Sequence, residues 1–421
     1  MNDVVSKRYY RIKFTLASAL SLSSGENKNS DRDLLLDSRG LPFIPASSLA
    51  GVYRCCLDEK NAETYFGKRF TKEGHSISES ELLVYDANLA GDQKPVITIR
   101  DGIKVDEYKT AINGSKYDYE ILEPGCSFVC YVEHNKNSDS VNIFDEVAAV
   151  LLCEDLSFGG KTSRGLGRIK DVEIKTAEFA MNGNDLDRWL DFDMYEDKFW
   201  ADKPLFDFKK IKNDHIKISV SIKQKSALSI REYRTEVGEE KSLPDQQQMA
   251  YVSTDGYKPV IPGTSWNGIF RHALQNYGCT KIDDLFGESG HSSAVTILET
   301  TLDNAVTKTV SRNAIDRFTG GTVKNALFTE TSCYNGGGIL TLLLPPYKNE
   351  YEQEYKGICC AIADLHAGLL ALGGETSIGH GLFEISSVAI NDEKITEKGC
   401  SPEIIYSALC EKLLDREVKN D

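Results

Sequence analysis

An internal repeat sets the architecture that this chain can adopt. Residues 41–54 read Leu-Pro-Phe-Ile-Pro-Ala-Ser-Ser-Leu-Ala-Gly-Val-Tyr-Arg, and residues 258–271 read Lys-Pro-Val-Ile-Pro-Gly-Thr-Ser-Trp-Asn-Gly-Ile-Phe-Arg. Both prolines, the isoleucine, the second serine, the glycine and the arginine coincide when Pro45 is aligned with Pro262. A repeat of this kind predicts two copies of one domain.

Further landmarks recur in the same order at nearly the same offset. The matched segments are 65–67 (Tyr-Phe-Gly) with 285–287 (Leu-Phe-Gly), 100–104 (Arg-Asp-Gly-Ile-Lys) with 312–316 (Arg-Asn-Ala-Ile-Asp), and two glycine loops, 158–167 (Phe-Gly-Gly-Lys-Thr-Ser-Arg-Gly-Leu-Gly) with 372–381 (Leu-Gly-Gly-Glu-Thr-Ser-Ile-Gly-His-Gly). A constant order and spacing of this kind is hard to obtain by chance, so the repeat extends over most of each half.

The length supports the same division. The chain has 421 residues, which suits two domains of roughly 200 residues each. We predict a first domain at 1–175, an acidic linker at 176–213 and a second domain at 214–421, which ends in a helix that begins near Ser401-Pro402. The acid run from Asp185 to Asp197 is most simply a solvated face, with a partner-docking surface as the alternative.

Composition and charge exclude some classes of protein. No apolar run approaches the roughly 20 residues that a spanning helix needs, and the amino terminus lacks the apolar core of a signal peptide. We therefore expect a cytoplasmic protein that does not enter a membrane. The net charge of −15 argues against indiscriminate binding of nucleic acid, although a locally basic groove is compatible with it.

The apolar periodicity predicts the same elements in each copy. Strand residues alternate at Tyr10, Ile12, Phe14 and Leu16, and again at Ile216, Ile218, Val220 and Ile222. Helix stripes follow at Leu49, Val52, Tyr53, Cys56 and Leu57, and at Trp266, Ile269, Phe270, Ala273 and Leu274. Later strands at 127–133 and 338–344 precede second helices at about 144–156 and 357–371. The order predicts an α+β fold of two ferredoxin-like (RRM-like) domains, each with a long insertion after its first helix.

The helix face opposite the apolar stripe predicts an anion site. Ser47, Gly51 and Arg54 are spaced i, i+4, i+7 in the first copy, as are Thr264, Gly268 and Arg271 in the second. A helix amino terminus with free N–H groups and a nearby arginine attracts anions. The alternative is an ordinary serine or threonine cap with a solvated arginine.

The first glycine loop adds positive charge to this picture. It carries Lys161, Arg164, Arg168 and Lys170, with no acid from residue 158 to residue 170, whereas the second loop has Glu375 and Ile378 in place of Lys161 and Arg164. Glycines let backbone amides face a phosphate, so the first copy is expected to hold a polyanion more strongly. The candidate residues are Ser47, Ser48, Gly51, Arg54, Gly159, Gly160, Lys161, Thr162, Ser163, Arg164, Arg168, Thr264, Ser265, Gly268, Arg271, Gly373 and Gly374.

The eleven cysteines are interpreted mainly as core residues, because free thiols in apolar runs behave as small hydrophobes. Cys126 and Cys130 are spaced so that a strand would place both on one face. Half of a zinc site is the alternative there, but no second ligand pair is visible nearby.

Taken together, the Ile-Pro turn with its helix, the Arg-x-x-Ile element and the late glycine loop resemble RAMP-superfamily CRISPR proteins. The similarity is greatest to Cas7-type backbone subunits of type III effector complexes, and it covers residues 8–175 and 214–386. Two copies in one chain resemble the tandem, fused Cas7 subunits of some of these complexes. The resemblance implies RRM-like domains that polymerise along a guide RNA and hold its phosphates, so the candidate residues above become candidate RNA-binding residues.

The resemblance also implies a thumb, partners and a cleavage site. The thumbs would be the insertions at about 68–123 and 287–330. The implied partners are guide RNA, target RNA, and Cas10-like, Cas5-like, Cas11-like and further Cas7-like subunits. In this family an aspartate in the loop before the Ile-Pro turn cuts target RNA, and a divalent metal, Mg or Mn, is required. Asp31 matches that position, with Asp33 in reserve; the alternative is that both are solvated loop acids.

The second copy departs from the family pattern. Met249 lies where the spacing calls for an aspartate, and the nearest acid upstream is Asp245, so this half is expected to serve as scaffold. Two alternatives for the whole chain stay open. One is a non-catalytic RNA-binding scaffold; the other is a metal-independent, guide-processing endoribonuclease, for which His380 of the second glycine loop would be the candidate.

Overall fold

The structure, a computed structural model, describes residues 4–25, 28–67, 80–106, 112–137, 144–154, 156–200, 215–232, 244–253, 256–288 and 290–414. These residues divide into two compact units. Unit 1 lies within Met1–Ile97, Glu120–Thr162 and Leu166–Asn213; unit 2 lies within Thr98–Tyr119, Ser163–Gly165 and Asp214–Asp421. Within the described ranges, no helix combines the length and the apolar character that a membrane span requires.

The first half of the chain forms strands and helices close to those predicted. They are β1 (Ser6–Leu16), α1 (Ala46–Cys55), α2 (Glu59–Phe66), β2 (Leu82–Val84), β3 (Asn88–Leu89), β4 (Ile97–Gly102), β5 (Tyr117–Leu122), β6 (Ser127–Lys136), α3 (Phe144–Leu152), β7 (Ile169–Ala180) and α4 (Gly183–Leu190). Short 3-10 helices occupy Thr162–Arg164 and Asp197–Phe199.

The second half repeats this order and adds to it. Its elements are β8 (Ile216–Gln224), β9 (Arg231–Glu232), β10 (Gln247–Gln248), β11 (Ala250–Ser253), β12 (Gly256–Ile261), α5 (Gly263–Asn276), α6 (Ile282–Phe286), β13 (Thr296–Ile297), β14 (Thr300–Thr301), β15 (Val306–Ile315), β16 (Thr322–Tyr334), β17 (Gly337–Leu344), α7 (Glu352–Ala367), β18 (Phe383–Ile390), β19 (Glu393–Lys394) and α8 (Pro402–Leu414). Further 3-10 helices occupy Asn349–Tyr351 and Thr376–Ile378.

Each unit is built on one antiparallel sheet with the ferredoxin-like strand order. In unit 1 the order is β2-β6-β1-β7, and in unit 2 it is β13-β17-β8-β18-β19. In the first sheet Ile12 lies opposite Cys130 on one side and Ile174 on the other. In the second, Val220 lies opposite Leu340 and Val388. The prediction of two ferredoxin-like domains is confirmed.

The core of unit 1 follows from the alternation in β1. Tyr10, Ile12, Phe14 and Leu16 are fully buried because alternate strand residues face the same side of a sheet. On that side they pack against the apolar stripe of α1 and against α3. In unit 2 the corresponding anchor is Trp266 of α5, which is fully buried and donates its indole N–H to the Thr300 hydroxyl at 3.1 Å. Both predicted helix stripes are confirmed.

The segment predicted as an acidic linker is partly structural. Its first residues complete β7, and Trp200 at its far end is 5% exposed. Trp200 and Phe179 pack with Tyr9 on the face of the sheet opposite the main core. The sequence did not predict this packing, because the aromatic and methionine residues of the segment are interleaved with its acidic residues. Residues 201–214 lie outside the described part of the chain.

In each insertion, the part that could form a thumb is shorter than the sequence predicted. In each unit the first strand after the helices, β2 or β13, joins the main sheet, because its apolar residues Leu82 and Ile297 are buried there. What remains are two-stranded ribbons, β4 with β5 and β15 with β16. The second ribbon is largely exposed and ends near Phe318, which is 88% exposed. Residues 68–79 of the first insertion lie outside the described residues.

Only four of the eleven cysteines are buried, namely Cys126, Cys130, Cys333 and Cys359, so the interpretation as core residues holds for these four and is wrong for the others. Cys126 and Cys130 are both buried, and burial raises the pKa of the Cys130 thiol to about 12. The Cys130 sulfur lies 3.5 Å from the hydroxyl of Tyr53 in the core. A thiol held in its neutral form by apolar surroundings is a poor zinc ligand.

Candidate nucleic-acid interface

Two sets of predicted RNA-binding residues, those of α1 and those of the first glycine loop, line one cavity of unit 1. The cavity has a volume of about 530 Å³, and Ser47, Ser48 and Gly51 of α1 line it together with Gly159 of the first glycine loop. The same wall includes Leu22, which follows β1. The helix face and the glycine loop, which are far apart in the sequence, therefore form one surface.

The amino terminus of α1 is not capped by the side chain that the sequence predicted. The N-cap is Pro45 in an extended conformation, and no serine side chain caps the helix. Instead the first N–H group, that of Ala46, donates to the carboxylate of Asp86 at 2.7 Å. An acid from elsewhere in the unit thus already lies at the positive end of the helix. The serine-cap interpretation is wrong for Ser47, and in the second copy Thr264 does not cap α5 either.

The repeated arginines stabilise the helix that follows each of them. Arg54 donates to the carbonyl of Gly67 just beyond α2, and Arg271 donates to the carbonyl of Gly287 just beyond α6, both at 2.8 Å. Carbonyls at a helix carboxyl terminus lack intrahelical partners, so a guanidinium there satisfies them. The pairing explains why the arginine recurs together with the Phe-Gly landmark. An RNA contact for Arg54 and Arg271 stays a prediction.

We expect Arg54→Met to lower the free energy of unfolding by about 1–2 kcal/mol, because the Gly67 carbonyl loses a charged donor. Urea unfolding followed by circular dichroism measures this effect. Lys60→Met is the control, since Lys60 is an exposed cation on the adjacent helix α2. Equal stability of the two variants would contradict the capping role.

The two glycine loops are held by the same backbone contacts. The amide of Gly160 donates to the Ser21 carbonyl at 2.7 Å, and that of Gly374 donates to the Ser229 carbonyl at 2.8 Å. These amides are consequently engaged within the protein and do not face a phosphate, as the sequence had led us to expect. Gly159 and Gly373, at φ +82 and +91°, allow the close approach, because a side chain at either position would strike the same serine carbonyls. RNA contacts through other atoms of these glycines stay predictions.

The basic residues of the first loop differ in their surroundings. Lys161 adopts a left-handed conformation with φ +57°, and Thr162 and Ser163 follow it in the short 3-10 helix. Arg168 donates to the carbonyl of Glu154 at 3.2 Å. The RNA contacts of Lys161, Thr162, Ser163 and Arg168 stay predictions.

Arg164 contacts protein groups of unit 2, to which Ser163–Gly165 belong. Its guanidinium donates to the Phe286 carbonyl at 2.9 Å and to the Ser293 hydroxyl at 3.3 Å. Burial, followed by the neighbouring charge of Arg271, lowers the pKa of Arg164. The role visible in the structure is therefore packing, and its predicted RNA contact stays a prediction.

The two candidate aspartates have different environments. Asp33 is 6% exposed, and its carboxylate accepts hydrogen bonds from the amides of Lys28 and Ser30 at 2.7 and 2.9 Å. Burial alone would raise its pKa, but these bonds outweigh it and lower the pKa. Asp31, two residues earlier, is exposed. Asp33 therefore stabilises the conformation of the loop, and Asp31 lies at the loop surface.

Glu120 of β5 fixes the same loop from the other side. Its carboxylate accepts from the Leu34 amide at 2.8 Å and from the Asn29 side chain at 3.2 Å. Its own amide donates to the Arg32 carbonyl at 3.0 Å. These bonds tie the segment from residue 29 to residue 34 to Glu120, so the position of Asp31 is defined on both sides. Sequence reasoning missed Glu120, since nothing local to it indicates this contact.

Backbone contacts show which residue of unit 2 corresponds to Asp31. Leu35 donates to the carbonyl of Leu22, and Met249 donates to the carbonyl of Ile230, at 2.8 and 2.7 Å. Leu35 and Met249 are thus equivalent, and the alignment that pairs them is the one that pairs the two glycine loops. It also pairs Asp31 with Asp245. Met249 lies six residues before Asp255, just as Asp31 lies six residues before Asp37, but this alignment pairs Asp37 with Tyr251 and not with Asp255.

Asp245 is nevertheless held more firmly than a loop-surface acid. Its carboxylate accepts from the amide and the hydroxyl of Thr329 at 2.7 and 3.1 Å. Those hydrogen bonds lower the pKa of Asp245, which makes it a weaker proton acceptor.

The described residues do not provide a ligand set for a resident metal. No group of three or more His, Cys, Asp or Glu side chains among them is placed to hold one. In the aspartate loop, the oxygens of Asp33 already accept amide N–H groups, whereas a metal would need those lone pairs. Asp31 alone does not make a metal site, so the divalent metal implied by the resemblance does not fit a preformed protein site here.

Comparison with known proteins agrees with this architecture. The RAMP superfamily model matches the chain twice, over residues 13–170 and 205–384, one match to each repeat. The chain is also 28% identical over 170 residues to the "CRISPR system Cms endoribonuclease Csm3" of Methanocaldococcus jannaschii. That match covers 34% of this chain and 68% of the relative. The two family matches and the two ferredoxin-like sheets together show that the chain belongs to the RAMP superfamily and carries two copies of its domain.

Proposed function

We propose that the chain is a guide RNA-binding backbone subunit of a type III CRISPR effector complex and that its first half cleaves target RNA. The observation that carries the proposal is the aspartate loop of unit 1, in which Asp33 and Glu120 fix the backbone and Asp31 stays at the surface. The relative Csm3 is named an endoribonuclease, which supports the activity. The proposed partners are guide RNA, target RNA and other subunits of such a complex.

The loop is connected directly to the cavity that would receive RNA. Leu22 lines that cavity, and its carbonyl accepts the amide of Leu35 at the end of the aspartate loop. A carboxylate at this position suits proton transfer. Asp31 would accept the proton of a target 2′-hydroxyl, whose oxygen then bonds to the adjacent phosphorus while the bond from phosphorus to the 5′-oxygen breaks. The leaving oxygen takes a proton from water, which gives a 2′,3′-cyclic phosphate and a 5′-hydroxyl end, and Asp31 returns its proton to the solvent.

No step of this scheme is assigned to a metal, because the described residues lack a ligand set for one. The proposal retains divalent-metal dependence only as an expectation that chelation tests. Cleavage that stops with a chelator and returns with Mg or Mn supports a metal carried in with the RNA. Cleavage of the guide precursor that is unaffected by a chelator favours the guide-processing alternative.

The RNA-binding part of the proposal makes a separate prediction. Lys161→Ala should weaken binding of single-stranded RNA and reduce the slope of log affinity against log salt by about 0.7, the value for one phosphate contact. Fluorescence anisotropy over a salt series measures both quantities. Arg164 is unsuitable for this test because its contacts lie within unit 2.

Lys398→Ala serves as the control, since Lys398 is an exposed lysine of unit 2. An unchanged slope for Lys161→Ala, or an equal change for both variants, would refute a specific RNA contact at the first glycine loop. A chain that binds no RNA at all would refute the proposed function.

A further inference from the structure

The second glycine loop contains a cluster of charged groups that the proposed function does not use. Four residues from three segments of unit 2 lie close together there. Arg231 comes from β9, Arg312 from β15, and Glu375 and His380 from the loop itself. Side chains that converge from three segments on one point form a built site.

Glu375 is the centre of this cluster. Arg312 forms an ion pair with one of its oxygens, and Arg231 lies 3.7 Å from the other. The Nδ1 atom of His380 is also 3.7 Å from the carboxylate, and its Nε2 atom lies 3.5 Å from Arg312. Two guanidinium groups and an imidazole around one pair of oxygens is the arrangement that proteins use for phosphate groups.

The repeat shows how unusual this acid is. Glu375 corresponds to Lys161 when the two glycine loops are aligned, and both adopt the same left-handed conformation, with φ +58 and +57°. The backbone conformation at this position is therefore similar in the two loops, whereas the charge of the side chain is reversed. At the position where the first loop carries a cation, the second loop supplies an anion to its own cations.

A second carboxyl group lies beneath the first. Glu330 of β16 is 1% exposed, and neither of its side-chain oxygens has a hydrogen-bond donor among the described residues. Burial, then contact with Glu330, raises the pKa of the Glu375 carboxyl. Two neighbouring carboxyl groups disfavour the charged form of each other, so release of Glu375 from the site would relieve that cost.

We propose that Arg231, Arg312 and His380 form a phosphate site for the RNA backbone in the second unit, and that the Glu375 carboxylate occupies this site until RNA displaces it. The inference rests on the proposed RNA-binding function. It attributes the weaker RNA binding that the sequence predicts for the second loop to competition by the Glu375 carboxylate and not to a lack of cations. Displacement of Glu375 frees the guanidinium groups of Arg231 and Arg312 for a phosphate.

Glu375→Gln removes the competitor and is the direct test. With the full chain and a short fluorescent single-stranded RNA, we expect about three- to fivefold tighter binding and a salt slope that is steeper by about 0.7. Glu375→Lys, which restores the residue type of the first loop, should increase affinity further. It also keeps the test decisive if the glutamine variant does not fold.

Two controls separate a site from a general change in charge. Glu352→Gln removes one paired acid of α7, whose partner is Lys356, and should leave the salt slope unchanged. Adding Arg312→Gln to Glu375→Gln should abolish the gain. The inference is overturned if Glu375→Gln binds RNA like the unaltered chain, if Glu352→Gln gains equally, or if the double variant keeps the gain. RNA binding that is lowered by Lys161→Ala but insensitive to every Glu375 variant would refute this inference and leave the proposed function standing.

Discussion

Asp31→Ala is expected to slow cleavage of target RNA by about 100- to 10,000-fold in the complex assembled with guide RNA, because the proton acceptor for the 2′-hydroxyl is lost. Affinity for guide and target should change little, since a carboxylate repels phosphates and does not hold them. Single-turnover cleavage of labelled target measures the rate. A target with 2′-deoxyribose at the cleavage position should resist the unaltered complex equally.

Asp33→Asn provides the contrasting variant. It removes charge from a carboxylate that accepts the amides of Lys28, Asn29 and Ser30, so its effect should appear first in the loop. Faster hydrogen exchange of those three amides is the expected signature, and Asp31→Ala should not produce it. If Asp31→Ala cuts target at the normal rate, the catalytic proposal is wrong and the scaffold alternative stands for unit 1.

Gly381→Ala should be among the most destabilising single changes in unit 2. Gly381 has φ +78°, and a side chain there would overlap the carbonyl of Leu372, whose amide binds the Gly381 carbonyl at 3.0 Å. The left-handed backbone and the steric clash together should lower the free energy of unfolding by about 2–5 kcal/mol. Urea unfolding of the full chain measures the loss.

Gly379→Ala is the matched control two residues away. Gly379 also has a positive φ, +88°, but a side chain there would meet nothing within 4 Å. It should therefore show the conformational cost alone, about 1–2 kcal/mol. Similar losses in the two variants would mean that the loop moves away from the Leu372 carbonyl at little cost.

The sheets and helices were predictable because their signals are local. The alternation from Tyr10 to Leu16 and the stripe from Leu49 to Leu57 are each set by a short stretch of sequence. The alternating strand residues are fully buried, and the stripe is buried at Leu49, Tyr53 and Leu57. The repeat then supplied each prediction twice. Helix ends were less accurate: α7 ends at Ala367, not near 371, because Gly368 adopts a left-handed conformation there.

The candidate site was less predictable because its decisive contacts are distant in sequence. Asp86 reaches the start of α1 over 40 residues, and Glu120 reaches the Leu34 amide over 86. Arg54 recurs as Arg271, but a recurring arginine indicates a recurring contact of any kind. Here that contact is a helix carboxyl terminus 13 residues away. Equally, the glycines recur for close backbone approach, which the same pattern does not distinguish from phosphate binding.

The aromatic residues that follow β7 decide where the two halves of this chain can be separated. Phe179 and Trp200 shield Tyr9 on the second face of the unit 1 sheet. A first half that ended at residue 175 would lack Phe179 and Trp200 and would expose Tyr9 and Tyr131 to solvent, which favours self-association. A first half produced without the second therefore has to extend past Trp200 to keep this face covered.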